Sequence, residues 1–371
     1  MSVALNAPAF DGVTTKELVQ QLEAKKKSTI KLPTWYSHDG IYYPEKLQIE
    51  QTSSEITASY KARIPSGKSL LDLNGGLGVD SYFFSQKMDA VSHCEIDIEL
   101  SEIATHNFKI LNTENIKTYA QNGLDFLQES DLDFDWVYTD PSRRNEAKGK
   151  VFLLSDCLPD IPGNLYSIFQ KTDNLMIKTS PLLDFSAGIK ELKYVKEIHV
   201  VGVKNEVKEL LWVLEKNYKD SISIKTVNFK KPSPDHFNFE LLHEKKATVL
   251  YGLPSKYLYE PNAPILKSGA FKTISEQFQV KKLHEHSHLY TSETFLDFPG
   301  RKFKIESVVP FHKKNIIKLG IQKANITTRN FPDNVANLRK KLKIKDGGDV
   351  YLFFTKDIEE NNIMIRCSKT S

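Results

Sequence analysis

The run Ser69-Leu70-Leu71-Asp72-Leu73-Asn74-Gly75-Gly76-Leu77-Gly78-Val79-Asp80-Ser81 constrains the fold more than any other stretch of the chain. Its apolar start reads as a buried parallel strand and its glycines as a tight turn. Tyr82, Phe83 and Phe84 supply the inner face of a helix that packs back on the sheet. Glycines belong in such a turn because a ligand must approach the backbone closely, and a Cβ would block it. The helix start offers free N–H groups to a polar ligand. Further strands are expected at Ala90–Cys94, before Gly123, at Asp135–Thr139, Leu175–Lys178, Ile198–Val203 and Ile222–Val227. Helical spacing falls between them at Leu100–Leu111 and Leu124–Gln128, and again at Val207, Leu210, Leu211 and Leu214. This alternation predicts an α/β fold with a doubly wound, mostly parallel sheet.

The neighbours of the turn choose between cofactors. A dinucleotide fingerprint places a third Gly or Ala where this chain has Ser81. Asp72 stands at the strand end, where a carboxylate repels pyrophosphate but suits the sulfonium and amino group of S-adenosylmethionine (SAM). Glu95 follows Gly76 by 19 residues, at the tip of the next strand, where it can bind ribose hydroxyls. Asn122 ends the third strand with an amide able to read an adenine edge.

The 371 residues suggest two or three domains, with 40% hydrophobic and 26% charged residues giving a globular balance. The net charge of +4 is uneven: residues 300–371 hold 16 Lys and Arg against 7 Asp and Glu, leaving a small acidic surplus elsewhere. This basic C-terminal segment points to a polyanionic partner such as nucleic acid. Three scattered cysteines (Cys94, Cys157, Cys367) indicate neither a disulfide framework nor a zinc site. No apolar run reaches the ~18 residues of a membrane span, and no signal-peptide core is evident. A cytoplasmic protein is expected.

Four segments are predicted. Residues 1–60 are mainly helical, with capping pairs at Thr14/Glu17 and Thr52/Glu55. Residues 61–229 form the nucleotide-binding core. The Lys230-Lys231-Pro232-Ser233-Pro234 stretch reads as a linker into 230–298, and a basic domain follows over 299–371. In 230–298, His284, His286 and His288 share a face if that stretch is a strand, and exposed strand histidines explain them better than a metal.

Asp140-Pro141-Ser142-Arg143-Arg144 ends the fourth strand, at the sheet edge where open α/β folds bind ligands. Methyl transfer from a sulfonium is an in-line displacement, so catalysis is chiefly placement of the nucleophile. Asp140 can accept hydrogen bonds from an exocyclic amine and orient its lone pair at the methyl, with the Pro141 carbonyl as a second acceptor. Arg143 and Arg144 can clamp phosphate or stack on a base.

With these motifs in place, the chain resembles the class I SAM-dependent methyltransferases, whose core is Rossmann-like. It looks most like the bacterial branch that adds a small ferredoxin-like domain and a C-terminal THUMP-like domain. That branch carries Asp-Leu-x-Gly-Gly-x-Gly-Val-Asp, matched from Asp72 through Gly75, Gly76 and Gly78 to Asp80, and Asp-Pro-x-Arg-Arg, matched from Asp140 to Arg144. The C-terminal likeness runs from Gly300-Arg301 onward. The resemblance implies SAM as cofactor, held by Asp72, Gly75, Gly76, Gly78, Asp80, Glu95 and Asn122. It implies Asp140, Pro141, Arg143 and Arg144 at the substrate and RNA as the partner. Amino-methylating members of the wider class have a second Pro and an aromatic where this chain has Ser142 and Arg143. Glu50 to Ala58 is similar to the element preceding the core in RNA-cap trimethylguanosine synthases. The competing readings are a non-catalytic RNA-binding protein, a nicotinamide oxidoreductase, and a methyltransferase for a protein or small molecule.

Overall fold

The computed structural model describes residues 12–143 and 153–370. The chain divides into two compact units. One holds the chain up to Glu197 together with Leu210–Asp220, and the other holds Ile198–Glu209 together with Ser221 onward. No described helix is long and apolar enough to cross a membrane.

In the first unit four helices precede the sheet: α1 (Thr15–Lys31), α2 (Pro33–Ser37), α3 (Lys46–Gln51) and α4 (Glu55–Lys61). Thr14 caps α1 by accepting the Glu17 N–H at 3.2 Å, as its sequence suggests. The Glu17 carboxylate does not close the box; it receives the Tyr42 hydroxyl instead. The second expected pair is corrected. Ser54, not Thr52, is the N-cap of α4, and Glu55 accepts the Thr34 N–H at 2.6 Å and the Thr34 hydroxyl at 2.8 Å. Two donors on a neighbouring segment outcompete the single local one. Trp35, Ile49 and Ala58 from these helices, with Tyr43 from the connection between α2 and α3, bury in one cluster with Leu77 and Val79, the apolar residues that flank Gly78. Non-directional apolar burial therefore fastens the N-terminal helices to the glycine turn.

The sheet of this unit contains β1 (Ser69–Asp72), β2 (Ala90–Cys94), β3 (Ile116–Tyr119), β4 (Trp136–Thr139) and β5 (Asn174–Thr179). They run parallel in the order β5-β4-β1-β2-β3. The helices α5 (Val79–Ser85), α6 (Ile98–Ile110), α7 (Gly123–Glu129) and α8 (Ile161–Lys171) fall between successive strands, giving the Rossmann-like, mostly parallel architecture. The register sets Asp72 beside both His93 and Tyr138, which brings the ends of three strands to one edge.

One expected helix is a strand. After β6 (Val195–Val203) comes β7 (Glu206–Glu215), whose Leu210–Glu215 segment runs antiparallel to β5 with Trp212 opposite Ile177. Leu210 to Leu214 are buried on both faces, and such an unbroken apolar run shows helical and extended spacing alike. Lys204 and Asn205 both adopt left-handed φ, as a two-residue hairpin turn requires.

In the second unit β8 (Ser223–Phe229) and β9 (Asp235–Glu240) pair antiparallel with Asn228 opposite Asp235. The Pro/Ser/Lys stretch read as a linker is the turn of that hairpin. A seven-stranded sheet follows, formed by β10 (Tyr257–Pro261), β11 (Lys281–Lys282), β12 (Tyr290–Ser292), β13 (Gly300–Pro310), β14 (Lys323–Arg329), β15 (Lys345–Lys356) and β16 (Asn362–Lys369). Their order is β11-β12-β10-β13-β16-β15-β14, antiparallel except for β14 beside β15. Phe353, Ile363 and Ile365 enter one core cluster, while Leu352, Phe354 and Met364 enter another, the two-residue alternation of a sheet buried on both faces. His284 to His288 form a turn and no strand, so the three imidazoles do not share a face. His284 meets Glu360 at 2.5 Å, and His288 stacks on Phe271.

Candidate active site

The site is built at the C-terminal ends of β1, β2 and β4. Leu70 and Leu71 are fully buried, so β1 is anchored where it delivers Asp72 to the edge. The Gly75 N–H donates to the Cys94 carbonyl at 2.8 Å, and the Gly76 N–H donates to Glu95 Oε2 at 2.9 Å. Gly76 has φ +57°, and a Cβ there would meet no atom within 4 Å; this side of the turn is open. A Cβ on Gly75 would lie 2.0 Å from His93 Nδ1, so that glycine is required by close packing behind the turn. Gly78, also left-handed, is the N-cap of α5.

Behind the turn lies a buried polar chain. Ser81 Oγ donates to Asp72 Oδ2 at 2.7 Å and stands 2.9 Å from His93 Nδ1. Asp72, Ser81 and His93 have no solvent exposure. Burial pushes the Asp72 carboxyl up to about 8, with the charges of Asp80 and Asp140 adding to the rise against the opposing Ser81 bond. Burial also pushes His93 down to about 4, so its imidazole is neutral. The serine at the third fingerprint position thus links two buried groups.

Asp80, expected at the cofactor, sits in the first turn of α5 and serves as a buried hub. It accepts the Tyr138 hydroxyl at 2.7 Å and the Ser53 hydroxyl at 2.8 Å, and Lys61 Nζ lies 3.0 Å away. Burial alone would raise its pKa, but Lys61 and Lys178 hold it below the usual carboxylate value. Glu95 accepts the Gly76 N–H with one oxygen and the Asp97 N–H, at 3.0 Å, with the other. In this structure it braces the turn. Asn122 is exposed, and its Oδ1 caps α7 by accepting the Leu124 N–H at 2.9 Å. Of the amide expected at an adenine edge, the oxygen is therefore already engaged within the chain. The adjoining Gly123 packs so closely on the backbone of Leu73 that a Cβ would lie 2.1 Å from its carbonyl oxygen.

Asp140 follows β4 and is tied to the glycine turn by Asn74. The Asn74 Oδ1 accepts the Asp140 N–H at 3.0 Å, and its Nδ2 donates to the Asp140 carbonyl at 2.5 Å. The Asn74 N–H in turn donates to Asp72 Oδ1 at 3.3 Å. One residue therefore sets the spacing between the two motifs. The Asp140 carboxylate forms an ion pair with Lys178 on β5. Pro141 is buried, and Ser142–Arg143 pairs antiparallel with Cys157–Leu158. The Arg143 side chain and Arg144 lie outside the described residues. Asn74, Lys61, His93 and Lys178 were not singled out in the sequence. The available signal was a lysine closing the otherwise apolar run Leu175-Met176-Ile177-Lys178 and another on a short helix before the core.

A ferredoxin-like domain family matches residues 257–299, and a THUMP domain-like family matches residues 300–369. No curated protein matches the chain. Among solved structures, a protein from Porphyromonas gingivalis W83, described as a candidate methyltransferase, is 30% identical, with a TM-score of 0.90 over 100% of this chain and 94% of that one. An rRNA methylase from Streptococcus thermophilus is 14% identical, with a TM-score of 0.32 over 43% of this chain and 94% of that one. TrmK from M. capricolum, solved with S-adenosyl-homocysteine, is 15% identical, with a TM-score of 0.33 over 47% and 71%. By its whole-length match to the P. gingivalis protein and its two C-terminal domains, the chain belongs to the bacterial branch of class I SAM-dependent methyltransferases in which a ferredoxin-like and a THUMP-like domain follow the Rossmann-like core.

Proposed function

We propose that the chain transfers a methyl group from SAM to RNA. The observation that carries this reading is the Asn74 bridge, which ties the glycine turn to the Asp140 turn through paired side-chain bonds to the Asp140 backbone. Cofactor and acceptor can then be held in line with little reorganisation. SAM lies over the open side of Gly76, with Gly75 and Gly78 shaping the turn. Glu95 and Asn122 provide polar contacts around its ribose and adenine, and the exposed Ile96 offers an apolar face beside Glu95. Asp72 acts through the turn, as a buried carboxyl whose ionised form favours a cationic ligand above it, while Asp80 holds α5 in place. Asp140 and Pro141 receive the acceptor, Arg143 and Arg144 bind its phosphates, and the basic segment 300–371 docks the RNA in the cytoplasm.

Two measurements test this. Calorimetry of the full chain should give saturable SAM binding, and mass spectrometry of RNA from strains with and without the gene should differ by one methylated nucleoside. Absence of both would leave a fold without the chemistry.

The raised Asp72 pKa sets a pH dependence. Below about 8 the carboxyl is mostly protonated, and a cation gains nothing from it. Ionisation as pH rises favours the cation, so affinity rises through that range and levels off above it, by up to about tenfold per pH unit. SAM has a titrating amine of its own. The readout is therefore the ratio of wild-type to Asp72→Asn affinity, which should climb from pH 6 to pH 9; a flat ratio removes Asp72 from the interaction.

A further inference from the structure

The Lys178–Asp140 ion pair bears on which atom accepts the methyl group. Lys178 is nearly buried at the end of β5, with 12% of its side chain exposed, while the Asp140 carboxylate is 37% exposed and lies at the substrate side of the proposed site. Lys178 takes one carboxylate oxygen, Oδ2. The Asp140 N–H and carbonyl both bond to the Asn74 side chain.

Those facts weigh differently on the two acceptor classes. A base amine builds positive charge on nitrogen as the new bond forms, and a lysine ammonium one ion pair away opposes that charge. It also calls for acceptors that orient its lone pair and for a ring to stack on. Here the Asp140 carboxylate and the Pro141 carbonyl can serve as acceptors, but Ser142 and Arg143 supply no ring. A hydroxyl has the opposite needs. Its oxygen turns negative as the proton leaves, so it gains from a carboxylate that takes the proton and from a fixed cation nearby.

Resting on the reading of the chain as an RNA methyltransferase, we propose that the acceptor is a ribose 2′-hydroxyl, with Asp140 taking its proton and Lys178 stabilising the developing oxyanion. The ribose oxygen attacks the SAM methyl carbon, the carbon–sulfur bond breaks with its electron pair passing to sulfur, and the hydroxyl proton moves to Asp140 Oδ1. The products are a 2′-O-methyl ribose, neutral S-adenosylhomocysteine and a protonated Asp140 that returns its proton to water. Lys178 holds the Asp140 carboxylate toward β5 through Oδ2.

The test uses the full chain, tritiated methyl-SAM and total RNA from a strain lacking the gene. After alkaline hydrolysis, a 2′-O-methyl group blocks cleavage at its own phosphate, so label should appear in alkali-resistant dinucleotides. Label in mononucleotides means base methylation and overturns the hydroxyl assignment while leaving the methyltransferase reading intact. No label in RNA from a wild-type chain that binds SAM overturns the RNA reading and this proposal with it. Lys178→Met should lower the rate by about 100-fold or more with SAM affinity within about threefold, and Lys178→Arg should recover about tenfold. Wild-type rates in Lys178→Met would overturn its role.

Discussion

Asp140→Ala should reduce methyl transfer by roughly 10²- to 10⁴-fold, the usual contribution of a positioned proton acceptor, while SAM affinity stays within about threefold. The separation follows from how the turn is held. The bonds that place Asp140 run from its backbone to Asn74, and neither uses the carboxylate. Removing the side chain thus deletes the acceptor and leaves the turn in position. It also deprives the nearly buried Lys178 of one ion-pair partner, a stability cost that an unfolding curve of the variant reports separately. Asn74→Ala is the informative contrast, because it cuts the bridge itself and should lower both turnover and SAM affinity. The two variants are compared by calorimetry and by single-turnover transfer. Full activity in Asp140→Ala would remove the proposed centre of the chemistry.

The second large effect is on stability. Lys61→Met should destabilise the first unit by about 3–5 kcal/mol, the range for removing one partner of a buried ion pair. Lys61 has no exposure; it donates to Ser53 Oγ at 2.7 Å and lies 3.0 Å from Asp80. Without it, Asp80 keeps only hydroxyl partners among these contacts, and its charge stays buried. Adding Asp80→Asn to Lys61→Met removes that stranded charge and should recover much of the loss. All three tryptophans, Trp35, Trp136 and Trp212, belong to the first unit, so their fluorescence during denaturant unfolding reports that unit alone. A double variant as unstable as Lys61→Met would mean that the ion pair is not the source of the effect.

Much of the first unit was legible because its signals are local. Leu70-Leu71-Asp72 ending in Gly75-Gly76 needs no distant partner to declare a strand and a ligand turn. Pattern failed where both faces of an element are buried. Leu210–Leu214 carries helical spacing and is a strand because β5 lies beside it, a neighbour that no window of residues 206–215 contains. Lys230–Pro234 has the composition of a linker and is a hairpin turn for the same reason: β8 and β9 recognise each other across it. Capping at α4 moved to Ser54 once Thr34 offered Glu55 two better donors.

Side-chain chemistry divides along the same line. A carboxylate at each of two strand ends and a glycine turn between them are written in residue order, so the kind of ligand could be argued from them directly. What each carboxylate does depends on what the fold brings against it. Asp72 has Ser81 and His93 behind it, Asp80 has Lys61 and Tyr138 around it, and Asp140 has Lys178 across from it. Those partners lie 9 to 58 residues away along the chain, and charge interactions depend on distance in space and on exclusion of water, neither of which residue order encodes. The chain order therefore settled the fold class and the turn, and folding alone settled which of its acids are hubs, which brace the turn and which one keeps a partly exposed carboxylate at the strand edge.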